Sequence, residues 1–115
     1  MSSHDDFLQT LRTTFKVEAA EHLQAITSGL LELEKGAPGT DTARAVIETV
    51  FRAAHSLKGA ARAVSFADIE GYCQTLEDLF ARWKRGDAAP TAETLDVGHA
   101  TLDKISAALA GQIPE

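Results

Sequence analysis

The stretch Ala53 to Arg62, AAHSLKGAAR, sets one imidazole beside a lysine and a glycine within a run of helix-forming alanines and leucines. A neutral imidazole is a nucleophile near pH 7, and a histidine that accepts a phosphoryl group needs a cation near the new negative charge. Lys58, three residues after His55, is placed one helical turn on to supply that cation. Gly59 follows at i+4, where glycine costs a helix about 1 kcal/mol relative to alanine. The cost fits a backbone that a partner must approach closely.

The apolar stripe around these residues consists of Val46, Ile47, Val50, Phe51, Ala54, Leu57 and Ala61, which is the pattern of a helix buried on one face. At 100° per residue His55 falls about 120° from the centre of that stripe and so faces solvent. Arg44, Glu48, Arg52, Gly59 and Arg62 share its outer strip, with Lys58 nearer the bundle. Positive charge on this strip of an acidic chain suits docking of an anionic partner through Arg44 and Arg52, with Arg62 in support. Glu77, on the flank of a later apolar stripe, is placed to reach His55 if the two helices are neighbours. A carboxylate that accepts the Nδ1 proton fixes the tautomer and leaves Nε2 to attack. The plainer alternative pairs Glu77 with Arg82 or Lys84 on its own helix.

Four helical segments carry these positions. The first is expected over Asp5 to Lys35, with Phe7, Leu8, Leu11, Phe15, Leu23, Ile26, Leu30 and Leu33 as its stripe, closed by the linker GAPGT. Its length predicts either a projection beyond the other helices or a break near Lys16 to Ala20. The second starts at Thr40 or Asp41 and stops near Ala63. Ser65 with Asp68 reads as a capping box, and Val64 with Ile69 as a hydrophobic staple, so a third helix is expected from Phe66. It buries Ile69, Tyr72, Cys73, Leu76, Leu79, Phe80 and Trp83 and ends at Gly86. Thr91 caps a fourth, with Leu95, Leu102, Ile105 and Leu109. Amphipathic helices joined by short connections predict an all-α fold, an antiparallel up-down-up-down four-helix bundle made by one domain over residues 1–115.

The formal charge of −6 argues against nucleic acid and against an anionic membrane surface as partners. A lone Cys73 excludes an internal disulfide and fits a cytoplasmic setting, and no signal peptide or membrane-spanning run is visible. There is no glycine-rich phosphate loop, so no nucleotide site is expected in the domain.

The stretch FRAAHSLKGAARAVSFADIEGYCQTLEDLF, Phe51 to Phe80, resembles the histidine-containing phosphotransfer (Hpt) family, most closely the amino-terminal phosphotransfer domains of CheA-type chemotaxis histidine kinases. The earlier EAAEHLQAITSGLLELEKG looks like the first helix of such domains. The resemblance implies an Hpt-like bundle in which His55 accepts a phosphoryl group from the ATP-binding domain of a histidine kinase. It then passes the group to an aspartate of a response regulator receiver domain of the CheY or CheB kind. It maps the lysine that supports the phosphorylated site onto Lys58, and the glutamate bonded to the histidine onto Glu77. The domain itself then holds no cofactor, with ATP and Mg2+ belonging to the kinase domain and Mg2+ to the response regulator. Relatives often carry a second glycine where this chain has Ala60, and a third-helix histidine where it has Gln74. Gln74 can support the site by hydrogen bonding but cannot titrate.

Of the other histidines, His4 lies in the amino-terminal tail, and His22 on the first helix is a boundary residue that can line the docking face. His99 follows Asp96 at i+3, a spacing that by itself lacks the ligands a bundle metal site needs, so no metal is expected. Two other classes compete with a phosphocarrier: an adaptor that binds a partner through its first two helices, and a metal-dependent bundle enzyme.

Overall fold

The computed structural model describes residues 3–112. Four helices account for nearly all of it: α1 (Ser3–Lys35), α2 (Asp41–Ala63), α3 (Ala67–Arg85) and α4 (Ala92–Gln112), with no strand among the described residues. Each helix packs on its neighbours in sequence and α4 closes back on α1, while the diagonal pairs stay apart. This is the up-down-up-down bundle that the patterning predicts.

The apolar stripes meet in one core. Ile26 and Leu30 of α1, Val50, Ala54 and Leu57 of α2, Ile69, Cys73, Leu76 and Phe80 of α3 and Ile105 of α4 are fully buried. At Gly29 the helices α1 and α2 touch most closely, since a Cβ there would lie 2.3 Å from Cγ1 of Val50. Gly29 therefore faces Val46 and Val50 and sets the antiparallel register of the two helices.

Helix α1 runs unbroken for 33 residues, so of the two expectations for this segment the projection holds and the break near Lys16 to Ala20 does not. Its first turns extend past the core, leaving Phe7 exposed rather than packed in the stripe. Tyr72, Phe51, Val46 and Leu109 are only partly buried.

Thr40 caps α2 by accepting a hydrogen bond from the Ala43 N–H at 3.1 Å. Thr91 accepts from the Thr94 N–H at 3.3 Å while Thr94 Oγ1 accepts from the Thr91 N–H at 2.9 Å, a reciprocal cap for α4.

The expected Ser65 capping box does not form. Helix α3 begins at Ala67, its N-cap is Phe66, and no side chain caps it. Ser65 instead adopts the left-handed conformation, φ 61°. Its N–H donates to Arg62 O, and the Phe66 N–H donates to Ala61 O at 2.9 Å. These paired bonds close α2 as a Schellman motif, which also closes α3 at Gly86 through Gly86 to Trp83 and Asp87 to Arg82. Phe66 decides the outcome: its ring is buried edge-to-face against Phe15 at 5.4 Å, which pulls the turn inward.

Candidate functional site

His55 projects from α2 into the exposed groove between α2 and α3, and its Nδ1 lies 3.2 Å from Oε2 of Glu77. A carboxylate only accepts, so Nδ1 carries the proton and donates it, leaving the Nε2 lone pair free. The contrast in exposure suits a held nucleophile, because the His55 side chain is 65% exposed and that of Glu77 only 16%. Helix α3 presents Glu77 here because Leu76 and Phe80 beside it are fully buried, which fixes the rotation of α3.

The same Glu77 oxygen takes an ion pair from Lys58 Nζ at 2.8 Å. Lys58 also donates to Gln74 Oε1 at 3.1 Å, and Gln74 Nε2 donates to Asp78 Oδ1 at 2.8 Å, which turns the amide oxygen toward the lysine. A chain of bonds thus runs from Asp78 through Gln74, Lys58 and Glu77 to His55. Burial pushes the Glu77 carboxyl pKa up, but the bonds from Lys58 and then His55 outweigh it and hold the carboxyl below its usual range. Glu77 reaches across to α2 instead of pairing within α3.

Gly59 is exposed, and a Cβ added to it would meet nothing within 4 Å. No packing demand inside the domain accounts for this glycine. Arg62 pairs with Glu70 of α3 at 2.7 Å, farther along the same groove. In the other direction Glu48 binds both Arg52, at 2.9 Å, and Lys84 of α3, at 2.8 Å. Lys84 Nζ also stands 4.8 Å from the centre of the Phe51 ring. Its two cations, Lys84 first and then Arg52, draw the Glu48 carboxyl pKa down.

The structure therefore joins His55, Lys58, Glu77 and Gln74 directly and places Gly59, Arg62 and Arg52 along the same strip. It separates the other two candidates from this network. Arg44 is tied to Asp41 and to the Gly39 carbonyl at the start of α2. His22 is half-buried on α1 between Ala19 and Ile26 and makes none of these bonds. Two turns before Gly29, it stands about level with His55 on the neighbouring helix.

Sequence reasoning missed the bridge from Glu48 to Lys84 and the hold of Asp78 on Gln74. The i,i+4 spacing in each case gives a signal for Glu48 with Arg52 and for Gln74 with Asp78; the pairing with Lys84 depends on how α2 and α3 register. His99, read with Asp96, instead donates through Nε2 to Glu34 Oε1 of α1 at 2.8 Å. Among the described residues no group of three or more His, Cys, Asp or Glu side chains is placed to hold a metal ion. Nor is any described helix long and apolar enough to cross a membrane. Cys73 is fully buried, and that burial pushes its thiol pKa up to about 12.

A cleft of about 640 Å³ opens at the α1–α2 turn, lined by Leu33, Val46, Ile47 and Leu95 with the acids Glu32, Glu34 and Asp96. Those charges have the wrong sign for a nucleotide triphosphate, and none of the His55 cluster lines the cleft.

Comparison with known proteins identifies the family of the chain. The Hpt domain family model matches residues 10–111. The chain is 33% identical over 105 residues to the chemotaxis protein CheA of Halobacterium salinarum, covering 91% of this chain and 14% of that protein. It is 33% identical over 88 residues to the chemotaxis protein CheA of Bacillus subtilis, covering 76% of this chain and 12% of that one. The chain thus spans about an eighth of the length of these relatives. The solved CheA phosphotransferase domain from Thermotoga maritima superposes with a TM-score of 0.80 at 31% identity, covering 96% of this chain and 98% of that one.

Proposed function

The chain belongs to the Hpt domain family, and from that premise we propose that it carries phosphoryl groups on His55 in chemotaxis-type two-component signalling. The observation that carries the reading is an exposed imidazole held at Nδ1 by Glu77, with Nε2 turned to solvent. Nε2 attacks the γ-phosphorus of ATP bound to a kinase domain; the N–P bond forms, the bond to the β,γ-bridging oxygen breaks, and ADP leaves. The Nδ1 proton stays on the ring against Glu77, so the product is a phosphorylated imidazolium. That positive ring is a good leaving group when an aspartate carboxylate of a receiver domain attacks the phosphorus. The N–P bond then breaks, and His55 returns to its neutral state.

Lys58 keeps the Glu77 carboxylate charged and in place, and Gln74 keeps Lys58 there. ATP and Mg2+ are supplied by the kinase domain and a second Mg2+ by the receiver, where the charge of phosphoryl transfer is stabilised. The partners are a CheA-type catalytic domain and a CheY- or CheB-like receiver, and the setting is cytoplasmic.

The test is phosphoryl transfer from labelled ATP by a separate CheA-type catalytic domain, together with labelling by phosphoramidate, for wild type and His55→Gln. An acid-labile, alkali-stable label lost in His55→Gln is the expected result. If His55 stays unlabelled by both donors while partners still bind, the domain is an adaptor.

A further inference from the structure

A phosphoryl group on Nε2 projects away from Glu77, because Nδ1 faces that carboxylate. Lys58, the obvious counter-charge, is committed to the other side of the ring by its bonds to Glu77 and Gln74. The cation at the outer side has to come from elsewhere on the strip. Arg62 is two turns away and tied to Glu70 of α3. Arg52 is one turn before His55, and residues at i,i+3 on a helix have Cβ atoms about 5–6 Å apart. Its side chain is 76% exposed, with its Nε bonded to Glu48 on the turn before. Counting helix phase, Arg52 lies on the flank of His55 opposite to Lys58.

The hold on Arg52 is also replaceable. Glu48 uses Oε1 for Arg52 and Oε2 for Lys84, so it keeps a cation when one of the two departs. Lys84 is positioned by α3 and by the Phe51 ring, independently of Arg52. A guanidinium matches phosphoryl oxygens with a planar fork, and its pairing with a dianion exceeds its pairing with one carboxylate oxygen.

We propose that Arg52 is a phosphoryl-binding residue, which turns from Glu48 to the phosphoryl oxygens when His55 is phosphorylated while Lys84 keeps Glu48 neutralised. The inference rests on the reading of His55 as the phosphoacceptor. It assigns Arg52 to the phosphorylated state and Lys58 to the orientation of the free imidazole.

The test uses the full chain and phosphoramidate, which requires no kinase. Nε2 forms its bond to phosphorus as the P–N bond of phosphoramidate breaks, and ammonia leaves. Phosphorylation is expected to move the Arg52 Nε–H resonance in a proton–nitrogen NMR spectrum. The groups facing the phosphorylated ring are Glu77, Lys58, Arg52 and, one step out, Glu48, Lys84 and Asp78. Losing a cation near it is expected to raise the titration midpoint of the phosphohistidine phosphorus signal by roughly 0.3–0.5 of a pH unit in Arg52→Gln. Arg52→Lys should recover most of that shift, which a purely structural role would not require. A labelled His55 with an unmoved Arg52 resonance and an unchanged midpoint overturns the inference and leaves the carrier reading standing. Failure of His55 to take the label overturns both.

Discussion

Two histidines in this bundle face a glutamate on a neighbouring helix, and they are built in opposite senses. In the α2/α3 groove the imidazole of His55 is outside and the carboxylate of Glu77 is tucked under it, at 65% and 16% exposure. Between α1 and α4 the order is reversed, with His99 at 32% and Glu34 at 40%. The first pair engages Nδ1 and presents Nε2, the ring nitrogen farther from the backbone; the second engages Nε2 and leaves only Nδ1. Glu77 also has a lysine that fixes its charge, whereas the bond from His99 is the one ion pair seen at Glu34 among the described residues. A histidine–carboxylate contact is therefore not a site by itself. What distinguishes the two is which nitrogen remains available and whether the carboxylate is anchored independently of the ring.

The sharpest break of that comparison is to remove each ring. His55→Gln is expected to abolish labelling by kinase and by phosphoramidate, while His99→Gln leaves both within about twofold of wild type, since surface changes away from a site shift stability by at most about 0.5 kcal/mol. Loss of labelling in His99→Gln at unchanged helicity would place the two pairs in one site.

Next in size is the carboxylate. Glu77→Ala is expected to slow phosphorylation of His55 by at least about tenfold, since a hydrogen bond to a charged group is worth about 1.5–3 kcal/mol. Glu34→Ala should not change it. An initial rate in Glu77→Ala equal to wild type, with the His55 ring titration unaltered by NMR, would remove the contact from the mechanism. Lys58→Ala should slow the same step several-fold, by roughly 1 kcal/mol of lost charge-assisted bonding to Glu77, without unfolding the bundle. Equal kinetics at matched helicity would reduce Lys58 to a surface cation.

The smallest effect is on acid stability. The folded Glu77 carboxyl pKa lies below its usual 4.5, so in that range the unfolded chain binds more protons and stability rises with pH. The contribution is complete above about pH 4.5 and is lost as pH falls through the folded value. Glu48 adds a change of the same sign. Urea midpoints between pH 6 and pH 3 should fall less steeply in Glu77→Gln than in wild type. An identical slope would mean that Lys58 and His55 do not hold that carboxylate in solution.

Most of the architecture was legible because each helix writes its own buried face at three- and four-residue steps, and those faces have few ways to meet. Local signals failed where a long-range contact outweighed them. Ser65 and Asp68 have the chemistry of a capping box, yet burial of Phe66 against Phe15 turns Ser65 into the terminator of α2. Phe7 fits the stripe of α1 but lies past the end of the core. At the site, the exposure of His55 and the flank occupied by Glu77 follow from helix phase alone. The Lys84 bridge and the His99 pair do not, since both depend on the axial offset between two helices, which no single helix encodes.

That offset is set in part at a distance from the chemistry. With room for nothing larger than a hydrogen between Gly29 and Val50, α1 acts as a backstop against which α2 is seated, and α3 presses on α2 from the groove side. A methyl group at Gly29 would have to displace the stiff Val50 side chain or the helix beneath it, which is the helix that carries His55. The reach from His55 to Glu77 is thus a mechanical dimension of the bundle, gauged by a residue on a helix that takes no part in the contact.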